Sequence, residues 1–263
     1  LPLIVTNHRE RSAFNFSPYQ GEKLRPVITY NYDNEHITPY SFDVELDDNR
    51  MKAEYALSHQ SAIYRITYEA DKPAYLIVNS RNGSIHANEN FISGRQQLND
   101  NTNVYVYIEA QEKPISAGIL ENGTIETSKD NAEGANACAA WRFADGTTTV
   151  NLRYGISFIS EEQAEKNLHR ELKDYNIKAL AEAGRQIWNE TLGRIQVEGG
   201  TEDDKTVFYS SFYRTFERPI CMSEDGRYFP APSTEKYTKT TVLLSTPTTG
   251  FGTLTVPHIL SAH

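Results

Sequence analysis

Cysteine is nearly absent: Cys138 and Cys221 are the only two in 263 residues. Two thiols cannot complete a structural zinc site or a disulfide framework. Cys138 sits in a strand-like run beside Ala137, Ala139 and Trp141 and is expected to be a buried free thiol. No apolar run approaches the ~20 residues of a membrane-spanning helix, so no span is expected. Basic residues are short by comparison with acidic ones, 26 against 35, which leaves a net charge of −9. An acidic surface without a basic stripe repels phosphate, so nucleic acid is not an expected partner. Also missing are the Gly-x-Ser-x-Gly elbow, the Walker loop, the dinucleotide loop and any His-x-x-x-His or Glu-x-x-His pair. The seven histidines are scattered, and His36 and His86 are expected in solvated loops. Residue 1 is Leu rather than Met, with no signal peptide before it, so the chain is expected to be processed or cut.

What is present first is alternation. Phe42, Val44 and Leu46 face away from Ser41, Asp43 and Glu45. Met51, Ala53, Tyr55 and Leu57 alternate with Lys52, Glu54 and Ser58; Ala62, Tyr64, Ile66 and Tyr68 alternate with Arg65, Thr67 and Glu69. Val104, Val106 and Ile108, then Val150, Leu152, Tyr154, Ile156 and Phe158, continue the period of two. Asn82-Gly83, Asn122-Gly123 and Asp145-Gly146 are expected to form two-residue hairpin turns. Many short strands with such punctuation predict an antiparallel β-sandwich. Sixteen tyrosines suit one if their rings are half buried and their hydroxyls wet.

At Ser160 the period changes. Ser160-Glu161-Glu162-Gln163 is expected to be a capping box, followed by the stripe Ala164, Leu168 and Leu172. Asp174 or Asn176 caps a second helix with the stripe Ile177, Leu180, Ala181, Gly184, Ile187, Trp188 and Leu192, and Gly193 stops it. Ile195 and Val197 suggest a short strand. Gly199-Gly200 is a break before Thr201, which caps a third helix through Asp204; the amides there offer an N-cap or an anion site. Val207, Phe208 and Phe212 share a face of that helix, and Pro219 is expected to end it. The acidic pairs Asp47-Asp48, Glu161-Glu162 and Asp203-Asp204 fit a turn and two first helical turns. A glycosidase acid/base pair must approach one bond from separate elements, so adjacency argues against that role. No catalytic or metal-ligating residue is assigned, and the substrate-binding residues stay unknown.

Three stretches carry a resemblance. They are Tyr154-Gly155-Ile156-Ser157-Phe158-Ile159-Ser160-Glu161-Glu162-Gln163-Ala164, the run 187–201, and Phe208-Tyr209-Ser210-Ser211-Phe212-Tyr213-Arg214 followed by Ser223-Glu224-Asp225-Gly226-Arg227-Tyr228. In that order and spacing the chain resembles glycoside hydrolase family 92, the bacterial calcium-dependent exo-α-mannosidases, strongly over residues 150–230. The resemblance implies a mainly β chain. Residues 1–159 would form the antiparallel β-sandwich (supersandwich), 160–200 a helical linker, and 201–237 the start of a truncated (α/α)6 barrel. It implies an α-1,2-mannosidase-like, inverting glycoside hydrolase acting on mannose-containing glycans, in the periplasm, at the cell surface or secreted. Calcium would serve the full-length family, with none expected in this chain, because the catalytic carboxylates and calcium ligands belong to a part without counterpart here. Alone, the chain is expected to be inactive; the alternative is a stand-alone carbohydrate-binding or structural β-sandwich. The oligomeric state is not implied.

Residues 238–263 have their own expectation. From Thr240 to His263 there is no Asp, Glu, Lys or Arg. The family would continue near here with a segment like Phe-Tyr-Thr-Asp-Asp-Trp-Ile-Trp-Asp-Thr-Tyr-Arg-Ala. Residues 244–257, back-translated and read from the third base of each codon, permit that segment at every step; Phe251-Gly252, for example, becomes YGG, which encodes only Trp or Arg. The tail is therefore read as an out-of-frame translation of a frameshifted mannosidase gene, without a native packing role.

Overall fold

The structure is a computed structural model that describes residues 2–7, 11–46, 50–99, 102–216, 223–228 and 238–239. Fifteen strands come first: β1 Pro2–Asn7, β2 Arg11–Tyr19, β3 Tyr32–Ile37, β4 Ser41–Leu46, β5 Met51–Leu57, β6 Ser61–Thr67, β7 Tyr75–Ser80, β8 Gly83–Ala87, β9 Ile92–Asn99, β10 Thr102–Ala110, β11 Ser116–Glu121, β12 Thr124–Glu126, β13 Asn131–Gly134, β14 Ala137–Arg142 and β15 Thr149–Ser157. Helices α1 Glu161–Glu171, α2 Ile177–Leu192 and α3 Glu202–Arg214 follow, then the short strands β16 Ser223–Glu224, β17 Arg227–Tyr228 and β18 Thr238–Lys239.

Two antiparallel sheets form the sandwich, ordered β1-β2-β7-β14-β11-β12 and β13-β8-β9-β10-β15-β6-β5-β4-β3. Alternation works as the sequence predicts: in β4, Phe42, Val44 and Leu46 are buried while Ser41, Asp43 and Glu45 are only partly covered. The inner faces meet in one apolar core that includes Phe16, Tyr55, Tyr64, Trp141, Phe143 and Tyr154. A smaller cluster of Leu24, Ile77, Leu120, Cys138 and Ala140 lies on the other face of the six-stranded sheet. Cys138 is a buried free thiol, pushed up to about 12 by that burial.

The tyrosines depart from the expectation. Tyr55, Tyr64, Tyr68 and Tyr154 are buried whole, and burial raises all four hydroxyls well above the usual range. Tyr64 packs between Phe16 and Tyr55, at ring centroid distances of 4.4 and 4.5 Å. Protein partners replace water: Tyr68 donates to the Tyr75 carbonyl at 2.8 Å, and the Tyr154 and Tyr55 hydroxyls lie 3.4 Å apart.

Of the three expected hairpin turns, one is a hairpin. Asn122 and Gly123 both take positive φ, 49° and 83°, and join the paired strands β11 and β12. Asn82-Gly83 links β7 to β8, and Asp145-Gly146 lies between β14 and β15; in each case the two strands belong to different sheets. These turns carry the chain across the sandwich, which local turn chemistry does not distinguish from a hairpin. Gly83 serves instead a close approach, since a Cβ there would lie 1.8 Å from the Arg95 carbonyl oxygen.

The helices follow their signals with two corrections. Ser160 caps α1 by accepting from the Gln163 amide, but the Gln163 side chain turns away toward Asn167 and Asp225, so the expected box is not reciprocal. The full capping box is at Thr201 and Asp204, where hydrogen bonds from Thr201 hold the carboxyl below its ordinary value. Ile195 and Val197 form no strand; Ile195 is 44% exposed, with nothing to alternate against. Asn176 caps α2 and Gly193 closes it, as read. α3 ends at Arg214, before Pro219, which lies outside the described residues.

Candidate functional site

The chemistry-bearing side chains gather where α1 lies on the outer face of the nine-stranded sheet. Gly155 in β15 makes the approach possible: a Cβ there would sit 2.2 Å from the Ala164 carbonyl oxygen and 2.8 Å from the Leu168 nitrogen. Leu168 and Leu172 then pack with Ala56, Ile63 and Ile177. α2 follows onto the same sheet, with Gly184 against Tyr40. Two polar groups flank α1.

On one side, Arg153 donates to Glu109 Oε2 through Nε at 2.9 Å and Nη2 at 2.7 Å, and to the Leu172 carbonyl through Nη1 at 3.1 Å. Its guanidinium lies 4.8 Å from the Tyr175 ring centroid. His169 Nε2 is 2.8 Å from the second oxygen of Glu109. A row of rings extends from there, His169 to Tyr107 at 6.1 Å, Tyr107 to Phe91 at 5.1 Å and Phe91 to His86 at 5.3 Å. Burial, with Glu165 and Glu109 beside it, raises the Tyr107 hydroxyl above its ordinary range. Phe91 and Tyr107 stack on one another at 24°, and both are half-buried. His86, expected as a solvated loop residue, lies in β8 with Asp130 3.5 Å away.

On the other side, the hairpin of β16 and β17 docks on α1. Glu224 is 2% exposed. Its Oε1 accepts the Phe158 amide and its Oε2 the Asn167 side chain, each at 2.8 Å. Asn167 also donates to the Ile156 carbonyl at 2.9 Å and accepts from Gln163 at 3.0 Å and Arg170 at 2.8 Å. Asp225 accepts from Gln163 at 2.8 Å and Arg170 at 2.7 Å. Those two contacts, Gln163 first, hold its carboxyl below the usual range. Arg227 donates to the Gln163 carbonyl oxygen, and Arg170 reaches Gln60 at 3.0 Å. Gln163, Asn167 and Arg170 are spaced three and four apart, one helical face. The polar stripe was therefore visible in the sequence, but not its partner some sixty residues on.

These networks contain paired structural side chains rather than an acid and base facing an open bond. Among the described residues no three His, Cys, Asp or Glu side chains gather as a metal site. The described residues therefore assemble no calcium site, and no calcium step is derived for them. No helix among the described residues is long and apolar enough to cross a membrane. α3 buries none of its residues: Val207 is 66% exposed, and Phe208 and Phe212 are half-buried.

Comparison with known proteins places this geometry. Residues 6–157 match the glycosyl hydrolase family 92 N-terminal domain, and residues 163–246 match the family 92 catalytic domain. The fold resembles the family 92 inverting mannosidase of Bacteroides thetaiotaomicron VPI-5482, with a TM-score of 0.70 and 25% identity, over 83% of this chain and 31% of that one. It also resembles a second family 92 α-mannosidase from Bacteroides thetaiotaomicron, with a TM-score of 0.72 and 23% identity, over 83% of this chain and 34% of that one. An uncharacterized secreted glycosidase of Arthroderma benhamiae is 32% identical over 80 residues, 29% of this chain and 10% of that protein. The chain thus spans about a third of the length of these solved structures, and the catalytic-domain match begins on α1 and covers only a short stretch of that domain. With the sandwich, its helices and their order all accounted for, the chain belongs to glycosyl hydrolase family 92.

Proposed function

We propose that this chain is the leading part of an exo-acting, inverting α-mannosidase, α-1,2-mannosidase-like, that works on mannose-containing glycans outside the cytoplasm. One observation carries the reading: the N-terminal-domain and catalytic-domain matches follow one another without a gap in architecture, on a fold shared with an inverting mannosidase. The name of the secreted relative supports export. The side chains described at the sandwich–helix joint bind one another, so the present residues do not hydrolyse a mannoside unaided. Incubating the purified chain with α-1,2-mannobiose tests this; no mannose release is expected, and turnover would refute it. Calorimetry with the same disaccharide tests the rival of a stand-alone carbohydrate-binding module, for which binding without turnover is the signature.

The domain division belongs to the same reading: sandwich to residue 159, linker 160–200, barrel start 201–237, and an out-of-frame tail 238–263. Of that tail only the backbone of Thr238–Lys239 is described; it pairs with β17, and the catalytic-domain match runs in the given frame to residue 246, so both put any frame change after the first residues of the tail. The codon arithmetic on residues 244–257 supports the shifted frame. Sequencing the locus checks it: a continuous barrel-coding frame offset by one base is the expected result, and its absence ends the idea.

A further inference from the structure

α3 poses a question of restraint. It buries no residue. Its contact with α2 is aromatic, Trp188 against Tyr213 at 4.9 Å and Phe216 at 5.9 Å. A helix of 13 residues is marginal by itself in water. The next described residues after α3 are those of the 223–228 hairpin, bound to Phe158, Gln163, Asn167 and Arg170 at the sandwich–α1 joint. We propose that this hairpin is a strap that holds α3 in place by returning the chain to the joint, with Glu224 as its positioning residue.

The chemistry makes docking specific. A carboxylate as buried as Glu224 is costly unless its oxygens are hydrogen-bonded, and each of them accepts a bond from a different segment. Gln163 fixes the register from both ends of its amide: the nitrogen donates to Asn167 and Asp225, and the oxygen accepts from Arg227. Buried polar networks of this kind form as a unit, so the strap is docked or free rather than half engaged.

Amide hydrogen exchange on the whole 263-residue chain tests the strap. Glu224→Gln keeps the shape but places an NH2 group against either the Phe158 amide or the Asn167 amide. The expected result is exchange roughly tenfold to a hundredfold faster at Phe158 and along α3, with the sandwich strands unchanged. Glu224→Asp keeps two acceptor oxygens on a shorter stem and is expected to cost less protection in α3 than Glu224→Gln. Three results would overturn the proposal: an unchanged Phe158 amide in E224Q, a faster Phe158 amide with α3 unaltered, or protection lost throughout the sandwich.

Discussion

The sandwich and α3 are built on opposite terms. The sandwich closes an apolar core between two sheets and satisfies even its buried tyrosine hydroxyls from within. α3 is well capped, with a reciprocal box at Thr201 and Asp204, yet buries nothing and leaves Val207 two-thirds exposed. Local signals make a helix in either setting; only a partner surface makes it part of a core. The chain spans about a third of its solved relatives, and the unburied helix lies in the short stretch that matches the catalytic domain.

The contrast can be broken from the sandwich side with the largest effect. Trp141→Ala removes a side chain with 0% exposure and the bond from its indole to the Asn88 carbonyl. A loss of roughly 3–5 kcal/mol is expected, read as a lower denaturation midpoint. A change below ~1 kcal/mol would mean that the two sheets do not depend on one core. Gly155→Ala comes next. Its methyl would meet the α1 backbone, and a cost of roughly 1–3 kcal/mol is expected, with exchange rising in α1 before the strands. Equal exchange rises in strands and helix would merge the two regions.

Acid sharpens the comparison on a smaller scale. The Asp225 carboxyl is depressed in the folded state, by Gln163 first and then Arg170. Its contribution is therefore fully present above the ordinary carboxylate value, ~3.9, and is lost as pH falls through its lower folded value. Half of the side chain is exposed, so the effect is expected below ~1 kcal/mol. Asp225→Asn should flatten the acid dependence of Phe158 exchange in that window; an unaltered profile would show that Asp225 does not set it. The smallest effect belongs to Val207→Lys, expected to shift the unfolding free energy by less than about 0.5 kcal/mol because the site is already wet. A clear loss would show that α3 is covered in solution.

Strand existence was legible where a period of two survives, as in β4 and β10, while β7 and β14 are buried on both faces and show none. Helix starts were legible at Ser160, Asn176 and Thr201, where a single side chain does the capping. Sheet membership was not. Asn82-Gly83 and Asp145-Gly146 have the composition of hairpin turns and join strands of different sheets. The joint was half legible: Gln163, Asn167 and Arg170 share a face by spacing, while Glu224 and Asp225 reach them only through the fold.

The sequence by itself determined the alternating strands, the three helices with their caps and the buried Cys138, because each depends on neighbours a few residues away. Tertiary structure alone decided which strands share a sheet, that Tyr64 and Tyr154 are sealed rather than half wet, and that a carboxylate on a late hairpin closes on α1. Those outcomes depend on groups far apart in the chain, and the free energy of burying them is set by what the fold brings alongside.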